Sequence, residues 1–490
     1  MHIIAAIDPV TRIEGHLKIE IEIDTVRGVQ QVVTAQASGN LFRGFEKVLV
    51  GRDPRDSQHI TARICGVCPV AHGMAAVLTL DAAFGVHVPT NARLMRNLVN
   101  GANFLDSHIL HFYLLSLPDF IDGPDMQPWI PTWRVDKRFS AGQNQKFLGH
   151  YLQAIVMRRK AHEMGALFGG RIPHPPAYIV GGFTATPRQE RIDAFKTYLS
   201  DIIPFIRNVY IPDVEELAGM YPDYFSIGVG HGNLLAYGVF EMDDDGSTRL
   251  LQRGFKPANG SVQLGLDANL IKEHVIHSWY DNAANNLNPA NGETEAVKPK
   301  EGAYSWLKAP RYNNQSCEVG PLARMTINGE YTNGVSLMDR HLARAREALK
   351  IAEAMQEWID QINPDEPVYT PSEIPVTATA HGLTEAPRGA LGHWLRIENS
   401  KIARYQVISP TTWNASPRDT SGVPGPIEQA LLAAPVQNAD EPIEAMRIIH
   451  SFDPCLDCAV HAIRPRQDAK IFALSHTHGG EDAHAHTHGT

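Results

Sequence analysis

"RICGVCPVAH", residues 63–72, sets two cysteines and a histidine within ten positions, and "DPCLDCAVH", residues 453–461, repeats the arrangement near the other end of the 490-residue chain. Four of the five cysteines, Cys65, Cys68, Cys455 and Cys458, stand in these two C-x-x-C units; Cys317 is the fifth. Five cysteines do not make a disulfide framework in a chain this long, so the pairs read as metal or redox sites. Two C-x-x-C pairs suit a structural zinc ion or an iron–sulfur cluster. Zinc modules commonly close loops of under about fifty residues, whereas nearly four hundred residues separate these pairs. A zinc clamp at the scale of a whole domain, and a cluster, both stay open. A thioredoxin-like centre needs only one such pair beside a βαβ unit. His72 follows Cys68 by four residues and His461 follows Cys458 by three. If each pair begins a helix, either spacing sets the imidazole one turn on, beside the second sulfur. There it serves as a ligand or as a donor to a thiolate.

Composition bounds the rest. An apolar fraction of 43% and a charged fraction of 20% belong to a soluble globular chain. A net charge of −10 speaks against nucleic acid. The most apolar long stretch, "NFLDSHILHFYLLSLPDFI", carries Asp106, Ser107, His108 and His111 and reads as a buried helix rather than a membrane span. The opening "MHIIAAIDPVTRIEGH" has no basic head and no small-residue cleavage site, so it is not a signal peptide. Alternating polarity over 17–36 predicts a β-hairpin or meander. Helical stripes run over 90–117, 145–168, 187–219 and 339–361. Gly and β-formers fill 224–265, a surface loop is expected over 281–302, and the proline-rich 362–390 reads as extended and irregular. "EHVIH", 273–277, lacks the zincin pattern and reads as an exposed helix face, and "GVGHGN", 228–233, lacks the spacing of a dinucleotide loop. The tail "SHTHGGEDAHAHTHGT" is low-complexity and reads as disordered. The expected fold is mainly α: a large helical body with small β-appendages, both chain ends converging on a buried metal site.

The two cysteine motifs resemble the nickel-binding signatures of the large subunit of nickel–iron hydrogenases. "IDPVTRIEGHLKIE", "LFRGFEKVLVGRDPRDS", "KAPRYNNQSCEVGPLAR", "TEAPRGALGHWLRIE" and "TTWNASPRD" are similar to that family's other blocks, in the same order. The resemblance implies a hydrogen:acceptor oxidoreductase interconverting H2 with two protons and two electrons, run as uptake. Cys65, Cys68, Cys455 and Cys458 would hold nickel. Cys68 and Cys458 would bridge to an iron bearing carbon monoxide and cyanide, with His72 beside the bridging thiolate. Soft thiolates suit both metals, and an open metal position beside a terminal thiolate supplies a Lewis acid and a base together. Glu14 would take the proton from Cys455, as a carboxyl raised towards neutrality by a dry site can. Arg388 would lie over the open face, paired with Asp453. A further family aspartate falls at Ser107, and Asp106 next to it should point elsewhere. Glu46, His461 and the carbonyl of Ala415 would hold magnesium. Cys317 has no counterpart among the ligands and reads as a small buried apolar residue.

The resemblance also implies an obligate iron–sulfur small subunit, since no cysteines remain here for an electron relay. It implies contact with a membrane only through partners, and export with the small subunit to the periplasm or membrane; a cytoplasmic home stays open. Residues 1–461 would form the catalytic domain. Residues 462–490 would be removed by a maturation endopeptidase cutting after His461. Two rivals are weighed. A hydrogen-sensing regulatory subunit ends at the last histidine of the second motif, whereas this chain runs on to Thr490. A non-catalytic member resembling the quinone-side subunit of complex I lacks the nickel cysteines.

Overall fold

The computed structural model describes residues 3–127, 129–130 and 132–456; Cys458, His461 and the 462–490 extension lie outside the described residues. The chain opens with an antiparallel sheet of β1 (Ile3–Ile7), β2 (Leu17–Val26) and β3 (Val29–Gly39). Leu17, Ile19, Ile21 and Ile23 of β2 are buried while the residues between them are half-exposed, the alternation that marks a strand with one core face. The hairpin expected over 17–36 is therefore present, with β1 added along its edge. Its tight turn places Arg27 and Gly28 at positive φ (52° and 84°), as a two-residue hairpin loop requires.

Helices follow: α1 (Phe45–Leu49), α2 (Asp56–Thr61), α3 (Pro69–Phe84), α4 (Thr90–Leu110), α5 (Ala141–Gly169), α6 (Gln189–Phe205), α7 (Ile211–Met220), α8 (Pro321–Ile327) and α9 (Leu337–Gln361). Cys68 is the N-cap of α3 and Pro69 its first residue, where a missing N–H costs nothing. Capping boxes start α5 (Ser140 with Gln143) and α9 (Ser336 with Asp339), satisfying orphan donors in pairs. α4, α5, α6 and α9 pack on one another and build the main core. All four expected helical stripes are helical, with π-helical turns at His111–Ser116 and Ile206–Tyr210.

Two expectations need correction. A three-stranded antiparallel sheet, β4 (Thr377–Ala386), β5 (Gly389–Glu398) and β6 (Lys401–Ile408), occupies a stretch whose first part reads as irregular. It is no appendage, because β4 and β5 pack against α3. β5 is buried on both faces over nearly its whole length, so it carries no alternation to betray it. Pro387 lies in the two-residue loop between paired Ala386 and Gly389, outside the ladder. The stretch 273–277 is not an exposed helix face either. Ile271–His274 is a strand, and Glu273 is buried in an ion pair with Lys308 at 3.1 Å.

The last helices are α10 (Pro410–Asn414), α11 (Pro426–Leu431) and α12 (Ile443–Ser451). After α12 the chain returns to its beginning. The Glu14 N–H donates to the Pro454 carbonyl (3.3 Å) and the Leu456 N–H to the Glu14 carbonyl (2.7 Å), a parallel bridge between Glu14 and Cys455. The two ends converge as expected. Among the described residues no helix is long and apolar enough to cross a membrane.

Candidate metal centre

Cys65 ends the turn after α2, Cys68 caps α3, and Cys455 follows Pro454 on the returning segment. Their sulfurs lie within 4.8 Å of one another, and the Sγ atoms of Cys65 and Cys455 are 3.3 Å apart. All three are buried. The N–H groups of Val67 and Cys68 donate to Cys65 Sγ, each at 3.2 Å, which favours the thiolate over the thiol. The Cys455 N–H donates to the Thr411 hydroxyl (2.9 Å), tying the returning segment to α10. Three soft donors in a dry pocket, spaced to share one ion, suit nickel far better than a hard cation.

Arg388 occupies the loop between β4 and β5 and is 2% exposed. Its Nη2 lies 3.0 Å from Asp453 Oδ1. Burial works against its charge, but Asp453 and the Cys455, Cys68 and Cys65 thiols around it hold the guanidinium well above its ordinary value. Nε and Nη1 have no hydrogen-bond acceptor among the described residues. Buried donors left open beside three sulfurs fit a metal centre carrying small polar ligands. Asp453 itself sits at φ 56°, a strained position for a non-glycine residue that turns the chain into Pro454 and Cys455. Asp106 points elsewhere, to Arg158 (2.9 Å) and His162 (3.1 Å) on α5, and Asp453 is the carboxylate paired with Arg388.

Arg324 of α8 supports the Arg388 loop from below. It donates to both oxygens of Glu347, to Glu385, and to the carbonyls of Ala386 (3.1 Å) and Pro387 (2.8 Å). Sequence reasoning passed over Arg324, although it stands in "GPLAR"; nothing local distinguishes a buried arginine from a surface one. Thr411, which holds the Cys455 N–H, was missed for the same reason.

Glu46, 5% exposed on α1, accepts the Val407 N–H (3.0 Å) and the Thr294 hydroxyl. Lys308 is close by, on Gln406 (3.0 Å) and Glu273. Ala415 ends α10, its N–H on the Thr411 carbonyl (2.9 Å); the backbone N–H that meets Glu46 is that of Val407. His72, fully buried one turn into α3, contacts His393. Cys317 lies apart in another apolar cluster, and burial pushes its thiol up to about 12, as expected of an inert side chain.

A family profile described as nickel-dependent hydrogenase matches residues 43–128 and 132–461, and one described as HoxL-like matches 5–34. The chain belongs to the nickel-dependent hydrogenase family. The periplasmic NiFeSe hydrogenase large subunit of Desulfomicrobium baculatum is 43% identical over 492 residues, covering 94% of this chain and 95% of that one. The uptake hydrogenase large subunit of Bradyrhizobium diazoefficiens is 32% identical, at 94% and 95% coverage. The solved Ni-Fe-Se hydrogenase from D. vulgaris Hildenborough, in its reduced state, superposes with a TM-score of 0.91 at 42% identity, over 94% of this chain and all of that one. This hydrogenase chain is thus a large, catalytic subunit and a hydrogen oxidoreductase. The reading as a non-catalytic subunit gives way to it.

Proposed function

We propose that this chain runs H2 oxidation at a nickel–iron centre that Cys65, Cys68, Cys455 and Cys458 would hold, Cys68 and Cys458 being the thiolates that would also serve the iron. The observation that carries the reading is the triad of buried sulfurs drawn from both ends of the sequence. When bound, the metals supply the electrophile for H2 and the redox couple that takes its electrons. The chain's own residues do the rest. Cys65 and Cys455, as terminal thiolates, present a basic sulfur next to the reacting position. Glu14, whose backbone is bonded to either side of Cys455, receives the proton and passes it outward. Arg388 keeps fixed positive charge and rigid donors over the metal face, as a flexible ammonium does not. Its Nε and Nη1, without an acceptor among the described residues, would be able to donate to small polar ligands such as the carbon monoxide and cyanide that the iron would carry.

A divalent cation, magnesium by its oxygen and imidazole donors, would sit on Glu46 and His461. The carbonyl of Ala415 would be the backbone ligand, and the Val407 N–H already occupies one Glu46 oxygen. His72 would donate to the bridging thiolate. The names of several relatives carry selenium, whereas all four motif positions in this sequence are cysteines. An iron–sulfur small subunit would take the electrons, and a periplasmic or membrane-side location follows the named relative. Residues 462–490 would be cut away after metal insertion.

The test is Cys455→Ala. It should abolish H2-dependent dye reduction and lower bound nickel in the purified enzyme. Full turnover with normal nickel would remove the central claim.

A further inference from the structure

His72 on α3 and His393 on β5 meet nitrogen to nitrogen, Nδ1 to Nε2, at 3.2 Å. The other ring nitrogen of His393, Nδ1, lies 2.8 Å from the hydroxyl of Tyr405 on β6. All three side chains are buried. The approach of sheet to helix is built in. Gly382 stands opposite His393 in the β4–β5 pair, and a Cβ there would fall 2.6 Å from the Ala75 carbonyl oxygen and the Thr79 nitrogen of α3. Only a position without a side chain lets the sheet lie close enough for the His393 ring to reach His72. Neither His393 nor Tyr405 has a part in the chemistry above.

A neutral imidazole donates from one nitrogen and accepts at the other. Two imidazoles in a row, ended by a hydroxyl, therefore carry a single direction of donation. Burial holds the Tyr405 hydroxyl above its ordinary value against a Ser57 contact that lowers it; of the two directions open to the row, we take the one in which the Tyr405 O–H donates to His393 Nδ1. His393 Nε2–H then donates to His72 Nδ1, and the remaining His72 proton sits on Nε2. We infer that Tyr405 and His393 are positioning residues that fix His72 as an Nε2–H donor towards the metal thiolates. The inference rests on the reading of His72 as such a donor. A hydrogen bond to a ligating sulfur tunes the metal it binds, so the consequence is read in the nickel potential.

The test uses the metal-loaded holoenzyme, measuring nickel content, the midpoint potential of the nickel signal and its paramagnetic resonance line. His72→Leu, which removes the donor, should shift potential and line shape. Tyr405→Phe should retain nickel and shift both in the same direction, because the pair is then free to reverse. In a His72→Gln background the Tyr405→Phe shift should vanish, since an amide NH2 donates whatever stands behind it. No shift in His72→Leu would sink the underlying reading. A shift in His72→Leu with none in Tyr405→Phe, or a Tyr405→Phe shift undiminished beside His72→Gln, would overturn this inference alone. If Tyr405→Phe loses nickel, His393→Gln takes its place with the same expectation; loss of nickel in both makes the pair scaffold and also overturns it.

Discussion

Glu14 is tied by its backbone to Pro454 and Leu456, a link that a change of its side chain leaves in place. Glu14→Gln should keep both metals and lower turnover by about 10²-fold or more, in line with loss of a general acid–base group. Metal analysis beside an H2-dependent dye assay checks it; unchanged turnover at saturating H2 would send the proton by another route. Glu428 on α11 is a second buried carboxyl, accepting from the Ala37 N–H (3.0 Å) and the Tyr304 hydroxyl (2.8 Å). Burial pushes it up from 4.5 to about 7. The unfolded chain releases this proton first, so stability falls as pH rises between those values and levels off above them. The span is at most about 3 kcal/mol. Glu428→Gln should flatten that slope, read as the unfolding midpoint at a fixed heating rate from about pH 5 to 8. A slope identical to the unsubstituted enzyme would show that Glu428 does not carry it.

α3 and the β4–β6 sheet form the element pair that presents the first cysteine motif. Gly382 sets their separation, with backbone atoms of Ala75 and Thr79 where a Cβ would go. Gly382→Ala must push strand from helix and should cost about 1–3 kcal/mol, with less nickel bound. Gly142→Ala in the first turn of α5, where nothing lies within 4 Å, serves as the neutral control. Equal stability and nickel in the two variants would count against the close contact. α5, α6 and α9 were legible because each keeps a solvent face that marks its period, whereas α4 is buried almost throughout and was legible from its length and its spaced polar residues. β5 was not, because a strand buried on both sides shows neither period 2 nor 3.6. The 273–277 stretch misled because its histidine spacing looks helical, whereas Glu273 is drawn inward by Lys308, a partner 35 residues away.

At the scale of the molecule, both chain ends are clamped to one buried carboxylate. Arg12 pairs with Asp119, and His450 Nδ1 lies 2.5 Å from the other Asp119 oxygen while its Nε2 reaches the Thr11 carbonyl (2.8 Å). Burial opposes the charge on Asp119, yet Arg12 and His450 hold its carboxyl well below the usual range. Such a clamp orders 11–14 and 450–455 together, next to the bridge between Glu14 and Cys455. Intact-mass measurement of active enzyme should find the chain ending at His461. An active enzyme still carrying Thr490 would require another account of how the second cysteine pair closes.

The sequence by itself determined two thiol pairs each followed by a histidine, the place of His72 one turn into α3, and the helical body with an N-terminal hairpin. Those features are local: spacing along one helix and apolar periodicity are written in neighbouring residues. Tertiary structure alone decided that Glu14 bonds beside Cys455, that Arg324 props the Arg388 loop, that Val407 meets Glu46, and that His72 leans on His393 and Tyr405. Each of these joins residues far apart in the chain whose identities say nothing of one another until the core is packed. Burial is what makes them matter, because a polar group removed from water must find its partner within the fold.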